Sequence, residues 1–353
     1  MAERRRRRRR RGTGGRLAGG FVAGAIVGLL AAIDPVIADT LDAVVERGSV
    51  RCGVTPDLTG FAESDSLGTW HGFDIDFCRA VAAAVLGDEN AIEIVAAERP
   101  AARRDALDTG RVDLLSGATA HVPWGGTVPA VWIGPLLHDG QTFLAARARG
   151  TRSALELDGD SVCVVGGGVA ERALRDFFAT TGLDIRLRLA GDPVAAFDDY
   201  LDGSCGALGA DRTALAARRA RLERPERHVL LAETIAKRPR GALVRADDAR
   251  WADVVRWTRH CLIDAEELGI GAENAAERAG DDTLAVRTLL GLEGRTGAAL
   301  GLRRDWCASA VSRVGNHGEL HARHLGPDTP LALERGLDAP WTEGGLLYAP
   351  PMH

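Results

Sequence analysis

The sequence lacks the short motifs that mark most catalytic sites. It has no Gly-x-Ser-x-Gly nucleophile motif, no His-Glu-x-x-His zinc motif and no P-loop. It also lacks a Cys-x-x-Cys pair, so metal binding by cysteine is not indicated. After Thr40, no apolar run is long enough to cross a membrane.

Aromatic residues make up only 5% of the 353 residues, but 46% of the chain is hydrophobic and 26% is charged. This composition excludes a disordered chain, a collagen and a disulfide miniprotein, and it leaves room for two domain-sized units. The formal net charge is −5. Residues 1–38 hold nine arginines and two acids, so the remaining 35 basic and 47 acidic residues give a formal charge of −12. An acidic body argues against a nucleic-acid partner.

The first 38 residues have the three parts of a secretory signal peptide. Eight consecutive arginines precede an uncharged segment, residues 17–33, and small or apolar residues follow at 36–38. We therefore predict cleavage after Ala38 and an extracytoplasmic, periplasmic location. The alternatives are an uncleaved membrane anchor and a basic arm for nucleic acid. A lipid anchor is not supported, because no cysteine stands at the predicted cleavage site.

The mature chain alternates strand-like and helix-like segments. Strands are predicted at 49–54, 91–97, 112–116, 161–165, 185–190 and 206–209, and helices after Asp74 and at 100–107, 169–181, 193–201 and 212–221. Two rounds of this alternation predict two α/β lobes with parallel strands. Extended segments at 143–146 and 241–245 are predicted to carry the chain from one lobe to the other and back.

Export permits the six cysteines to form disulfides, and sequence alone allows fifteen pairings. The cysteines are Cys52, Cys78, Cys163, Cys205, Cys261 and Cys307.

Several segments resemble extracytoplasmic solute-binding proteins of family 3. They include Trp70-His-Gly-Phe-Asp-Ile-Asp-Phe-Cys78, Asp113-Leu-Leu-Ser116 and Trp341-Thr-Glu-Gly-Gly-Leu-Leu-Tyr-Ala-Pro-Pro351. The match is to the general L-amino-acid-binding branch, which serves polar amino acid ABC transporters, and it covers essentially the whole mature chain.

The resemblance implies a type II periplasmic-binding-protein fold, with two α/β lobes, two crossover strands and a ligand cleft between the lobes. The implied organisation is a signal peptide at 1–38, lobe 1 at 39–145, lobe 2 at 146–240, and the rest of lobe 1 with a C-terminal helical extension at 241–353. It also implies that Cys52 pairs with Cys78 and Cys163 with Cys205. Cys261 and Cys307 are left free or paired with each other.

The resemblance also implies where a ligand binds, and here the chain departs from the family. Gly125 stands at the position of the carboxylate-binding arginine, and Gly168 and Val169 replace two hydroxyl donors at a helix start. Asp211 matches the family's ammonium-binding aspartate. The predicted ligand-binding residues are Asp211, Thr119, Leu58, Phe61, Gly168, Val169 and Gly117.

An eroded carboxylate site predicts weak binding of a standard amino acid unless another cation is present, and Arg212 and His121 are the nearest candidates. Backbone N–H groups at the helix start near Gly168 still favour an anion. Structural interpretations compete with these: Asp211 as a helix N-cap, Phe61 as core, and Asp74 and Asp76 as a cap and a solvent-facing charge.

His317, His321 and His324 recur at helical spacing and present a candidate zinc or copper site. We favour a metal-free interpretation with a solvated histidine face, because Gly318 weakens the helix that would bring the three imidazoles together. No metal and no cofactor is therefore predicted.

The predicted function is the solute-binding component of an amino-acid-type ABC transporter, whose cleft closes on a small polar solute. Its partners would be that solute and a permease in the inner membrane, and the protein would be monomeric. The alternative is a divergent paralogue that acts as an envelope sensor or structural partner without a transport role. A third possibility is a cleft enzyme, such as the dehydratases of prephenate-like acids that share the fold.

Overall fold

The computed structural model describes residues 39–119 and 129–352. The predicted signal peptide, residues 1–38, and the predicted site positions His121 and Gly125 lie outside the described residues.

Strands and helices alternate through the described chain. The strands are β1 (Val50–Val54), β2 (Glu63–Ser64), β3 (Trp70–His71), β4 (Ile92–Ala96), β5 (Leu114–Thr119), β6 (Ala130–Leu137), β7 (Gly140–Ala146), β8 (Ser161–Val165), β9 (Arg186–Ala190), β10 (Ala207–Asp211), β11 (His228–Leu230), β12 (Ala236–Lys237) and β13 (Arg240–Arg245). The helices are α1 (Thr40–Arg47), α2 (Phe73–Leu86), α3 (Pro100–Asp108), α4 (Val169–Thr181), α5 (Pro193–Leu201), α6 (Arg212–Ala220), α7 (Ala249–Glu267), α8 (Leu284–Leu289), α9 (Thr296–Leu300), α10 (Trp306–Val314) and α11 (His317–His324).

The first sheet has the strand order β4-β1-β5-β13-β6. β1 is parallel to β4 and β5, whereas β13 runs antiparallel to β5 and β6. Helix α2 is buried almost throughout, from Phe73 to Val85, because it packs between this sheet and helices α7 and α10. Its alanine-rich sequence favours the helix and lets the neighbouring helices approach closely.

The second sheet has the order β11-β7-β10-β8-β9, with β12 beside β7. β8 is parallel to β9 and β10, and β7 is antiparallel to β10. Helix α5 begins where the sequence predicts, because the Asp192 carboxylate caps the N–H groups of Val194 and Ala195 at 2.8 and 2.9 Å, and Pro193 fits the first helical position. Each sheet carries its own helices, so the structure has the two α/β lobes that the alternation predicts.

Two short connections join the sheets. β6 ends at Leu137 and β7 begins at Gly140, whereas the return runs from Lys237 to Arg240. The sequence boundary at 145/146 was wrong for the first connection, because all of β7 belongs to the second sheet. An apolar extended run looks the same in sequence whether it joins two sheets or pairs within one. The backbone N–H of Arg238 donates to the Asp139 carbonyl at 2.8 Å, so the two connections are bonded to each other.

Three disulfides are present, Cys52–Cys78, Cys163–Cys205 and Cys261–Cys307. The first two are the pairs that the family resemblance implies. The third links α7 to α10, and so fixes the C-terminal helical extension to the first lobe.

Replacing Cys261 and Cys307 together with alanine is expected to lower the free energy of unfolding by about 2–4 kcal/mol, because the disulfide closes a loop with a sequence separation of 46. Urea titration of the oxidised protein and the double variant measures this difference. Equal midpoints and slopes for the two proteins would contradict the prediction.

Among the helices of the described chain, none combines the length and the apolar character that spanning a bilayer requires.

Candidate functional site

The first lobe contains a buried cluster of one carboxylate and two guanidinium groups, Asp74, Arg103 and Arg240. Arg240 Nη2 donates to Asp74 Oδ2 at 2.9 Å, and the Ser116 hydroxyl lies 3.5 Å from Asp74 Oδ1. Arg103 donates to Thr55 Oγ1 at 2.7 Å and to the Ser116 carbonyl at 2.6 Å. We call these three charged residues the guanidinium cluster; with two cations and one anion, its formal charge is +1.

Burial changes the pKa values of Asp74 and Arg103 in the guanidinium cluster. It raises the pKa of the Asp74 carboxyl, although the two guanidinium groups oppose that shift. It lowers the pKa of Arg103 to about 10. The Nε atoms of Arg103 and Arg240 are both buried and donate to no acceptor in the part of the chain that the structure describes. Unpaired donors carrying excess positive charge favour an anionic partner.

The buried positions of Asp74 and Asp76 correct the sequence interpretation of a cap and a solvent-facing charge. Asp74 is 2% exposed and lies within α2. Asp76 is 4% exposed and bonds to Arg79 at 2.9 Å and to Arg323 and His324 at 2.7 Å. Burial raises its pKa, but His324 and the two arginines outweigh burial and lower the pKa to about 2. Their partners are distant in sequence, so the local pattern could not reveal these roles.

Three of the predicted first-lobe residues surround Arg240. A Cβ at Gly117 would overlap the side chains of Asp74 and Arg240, and φ there is 68°, so only glycine fits. Thr119 ends β5 and lies opposite Arg240 across the strand pair. The Phe61 ring centroid lies 4.5 Å from the Arg240 guanidinium carbon, a cation–π distance, and the ring is fully buried.

Leu58 is half-buried, packs against the first-lobe core and forms a bridge with Ala62. Leu58 and Phe61 thus both contact the core. Phe61 packs against the Arg240 guanidinium group and has no exposed surface with which to line a cleft.

A second group of polar residues lies where the lobes join. Arg238 Nε donates to Asp211 Oδ1 at 3.1 Å, and the Asp211 side chain is 23% exposed. Asp139, on the first connection, accepts from the Thr213 hydroxyl and from the Gly140 N–H at 2.8 Å. Burial, followed by the charge of Asp211, raises the pKa of Asp139 to about 6. Asp211 stands at the N-cap position of α6, but its side chain makes no capping hydrogen bond.

The start of α4 offers main-chain donors without hydroxyls. Gly168 is its N-cap residue and forms no side-chain cap, and Val169 is 45% exposed. Glu171 accepts from the Gly167 N–H at 2.7 Å and bonds to Arg175, and these bonds lower the Glu171 pKa. An acid of the chain itself therefore occupies part of the helix start that was predicted to favour an anion.

Gln141 connects the helix start to Asp211. It is fully buried on β7 directly opposite Asp211 on β10. Its Nε2 donates to the Ala170 carbonyl at 2.9 Å, and its Oε1 accepts no hydrogen bond within residues 39–119 and 129–352. The second lobe thus presents acceptors and acids, whereas the guanidinium cluster gives the first lobe a positive charge.

Helix α6 bridges the two lobes. Arg221 donates to Thr59 Oγ1 at 2.8 Å and pairs with Glu63 at 3.1 Å, and Arg219 donates to the Leu331 carbonyl at 2.6 Å. Arg212, a candidate cation from the sequence, donates instead to the carbonyls of residues 231 and 232 within the second lobe. Its guanidinium group is already bonded to the main chain there.

The three histidines of α11 do not converge on one point. His317 is fully buried with Nε2 2.8 Å from the Leu136 carbonyl, whereas His324 Nε2 contacts Asp76. His321 is 2% exposed, so the predicted solvated face was wrong. In the described chain, no group of three or more His, Cys, Asp or Glu side chains is arranged to hold a metal ion.

Sequence reasoning missed Arg103, Arg240, Asp139 and Gln141. The one available signal was Arg240 itself, a charged residue directly before the apolar run at 241–244, since such a charge requires a partner.

Two α/β lobes joined by two hydrogen-bonded connections, with charged side chains at their junction, have the architecture of a two-lobed binding protein. No protein-family model matches the chain. The general L-amino acid-binding periplasmic protein of Rhizobium johnstonii is 38% identical over 318 residues, covering 89% of this chain and 93% of that protein. The glutamate/glutamine/aspartate/asparagine-binding protein of Rhodobacter capsulatus is 39% identical over 316 residues, with the same coverage.

A solved structure extends the comparison. A periplasmic binding protein of an ABC transporter from Brucella ovis, with glutathione bound, superposes with a TM-score of 0.83 at 38% identity, covering 90% of this chain and all of that one. These comparisons confirm the type II periplasmic-binding-protein fold. The chain belongs to the family of periplasmic solute-binding proteins of amino-acid ABC transporters, and the relatives named are binding proteins rather than enzymes.

Proposed function

We propose that the cleft closes on a small polar solute with an amino-acid end, and that the guanidinium cluster supplies the cation that is missing at Gly125, the position of the family's carboxylate-binding arginine. The observation that carries this proposal is the excess positive charge of Asp74, Arg103 and Arg240, together with two buried Nε–H groups that find no acceptor among residues 39–119 and 129–352. A carboxylate neutralises that charge and accepts those bonds.

The second lobe matches the other end of such a solute. Asp211 and the Oε1 of Gln141, which accepts no hydrogen bond from the residues that the structure describes, are acceptors suited to an ammonium group. The carboxylate site is eroded in the second lobe, where Gly168 and Val169 bring no hydroxyl. A ligand held by both lobes favours the closed arrangement.

The relatives support an amino-acid moiety. Two are named for amino acids and the Brucella ovis protein holds glutathione, which carries a free amino-acid end. On this proposal the protein works as a monomer without catalysis or nucleic-acid binding, and delivers its solute to an ABC permease in the inner membrane.

Calorimetric titration of the mature protein tests the proposal. L-amino acids and glutathione are each compared with the amine that lacks the carboxylate. Amino acids should bind more tightly than the amines, since only they neutralise the guanidinium cluster. If the amines bind as tightly as the amino acids, the guanidinium cluster does not bind the carboxylate. If no compound of the panel binds, a sensor or structural paralogue without a transport role is favoured.

Replacing Asp211 with asparagine should weaken binding of the best amino acid about ten- to a hundredfold, because a charged acceptor for the ammonium is lost. Asp198→Asn is the matched control, since this exposed acid on α5 makes no side-chain hydrogen bond within the described residues. Unchanged affinity in Asp211→Asn would exclude Asp211 from the site.

A further inference from the structure

A cavity of about 230 Å³ lies at the C-terminal end of α7, built from residues outside the cleft. It is lined by Asp264, Glu267, Leu268, Ala285, Trp341, Tyr348, Ala349, Pro351 and Met352. We call it the tail cavity, because the chain after Pro340 forms one side of it. Its volume is below the range of about 300–1,000 Å³ typical for drug-sized ligands, so it suits a single small group.

The charged residues of this lining are both acids. The Asp264 carboxylate forms no hydrogen bond or ion pair with any residue that the structure describes. Glu267 Oε2 accepts from the Trp341 indole N–H at 2.9 Å, but its buried Oε1 accepts nothing in that same part of the chain. Burial and the neighbouring Glu267 raise the pKa of Asp264 to about 7. Two carboxyl groups share one small space, and the described part of the lining holds no basic side chain, so a bound cation would stabilise their ionised forms.

Two aromatic rings stand at the same cavity. The centroids of Trp341 and Tyr348 are 5.9 Å apart in an edge-to-face arrangement, and the residues are 53% and 61% exposed. Aromatic faces attract cations, and the attraction is strongest for tryptophan. The bond from the indole N–H to Glu267 fixes the orientation of the larger ring.

The segment that carries the rings is a folded loop. Trp341 donates its backbone N–H to Leu347 at 2.9 Å, and Leu347 donates to Ala339 at 3.2 Å. Leu347 is fully buried against Ile263 of α7. A Cβ at Gly345 would overlap the Ala339 carbonyl, so this turn requires glycine. The backbone that carries the rings is therefore folded before any ligand arrives, which reduces the entropy lost on binding.

We propose that the tail cavity binds a small organic cation through its ammonium group, with Trp341 and Tyr348 facing the cation and Asp264 and Glu267 balancing its charge. The arrangement of rings and acids is specific to positive charge, because a neutral group of equal size leaves the two carboxyl groups uncompensated. This site is independent of the solute cleft, and the two proposals stand or fall separately.

The test is a titration of the mature protein with choline and with 3,3-dimethylbutan-1-ol, a neutral compound of nearly the same shape. Choline should bind and the neutral compound should bind at least tenfold more weakly. Binding should persist in Asp211→Asn and in the presence of a cleft solute. Equal binding of the two compounds, or no choline binding at 10 mM or so, would overturn the proposal.

Variants identify the residues. Trp341→Leu keeps an apolar side chain but removes the aromatic face, and it should weaken choline binding about tenfold or more. Glu267→Gln should weaken it similarly, whereas Glu273→Gln, at an exposed position beyond α7, should not. Because Trp341 and Tyr348 are more than half exposed, Trp341→Leu and Tyr348→Leu should keep the thermal midpoint of the parent. Full choline affinity in both Trp341→Leu and Tyr348→Leu would exclude the rings.

The ammonium group that binds the tail cavity could belong to a free amine or to a lipid headgroup. Sedimentation with phosphatidylcholine vesicles separates them, since only a site that accepts the headgroup retains the protein on the vesicles. Binding of free choline without vesicle retention assigns the free amine as the ligand.

Discussion

Replacing Asp74 with alanine is expected to lower the free energy of unfolding by about 3–5 kcal/mol. Asp74 is 2% exposed and its Oδ2 lies 2.9 Å from Arg240 Nη2. Without it, the two guanidinium groups lose the carboxylate bonded to Arg240 in a buried region, and the free energy of the folded state rises. Chemical denaturation at neutral pH, followed by circular dichroism, measures the loss.

Two further variants show whether charge or packing is responsible. The double variant Asp74→Leu/Arg240→Met removes both charges and should recover most of the lost stability, because well-packed apolar side chains replace a buried ion pair at little cost. Glu89→Ala breaks the exposed pair with Arg313 at 2.8 Å and should cost no more than about 1 kcal/mol. If Asp74→Ala costs as little as Glu89→Ala, the buried pair is solvated and does not contribute as described.

Acid is expected to destabilise the protein through His317. Burial, with the charge of Arg335, lowers the pKa of His317 from its ordinary value of 6.5 to about 3. Asp338 and the bond to the Leu136 carbonyl act in the opposite direction, and His321 adds to the lowering. Between these two pKa values the unfolded chain binds a proton that the folded chain excludes, so stability present above pH 6.5 is lost as the pH falls.

The expected size follows from 1.36 kcal/mol per pKa unit. His317 should contribute a loss of about 2 kcal/mol between pH 6.5 and 5, and about 4–5 kcal/mol by about pH 3. Urea titrations at several pH values compare the parent with His317→Gln, whose stability should fall less steeply with acid. The exposed His71→Gln on β3 serves as the control and should follow the parent. A His317→Gln curve parallel to the parent would show that this histidine is protonated in the folded protein.

The sequence predicts local structure well where the chain itself marks the ends of an element. Helix α4 is found over the predicted residues because Gly168 precedes it and Gly182, at φ 71°, ends it. Helix α5 begins at the predicted Pro193 for its own local reason, the Asp192 cap. The two-lobe architecture could also be predicted, because the alternation of strands and helices along the chain is enough to indicate it.

The site depends on pairings that the order of elements does not fix. Arg240 reaches Asp74 across 166 positions, and Arg323 reaches Asp76 across 247. Both aspartates lie near the start of a helix, where a cap and a solvent-facing charge are the usual roles. Only the placement of β13 and α11 beside α2 brings them Arg240 and Arg323, so the interpretation from local pattern was wrong in both cases.

The bond between the Arg238 N–H and the Asp139 carbonyl makes the two connections a short two-stranded ribbon. A ribbon bends readily across its flat side but resists stretching of one strand past the other. Motion between the lobes is therefore confined to swinging about this ribbon, and sliding of one lobe along the other would have to break that bond first. The contacts of Arg221 with Thr59 and Glu63 cross the same junction, so they would have to open when the lobes swing apart.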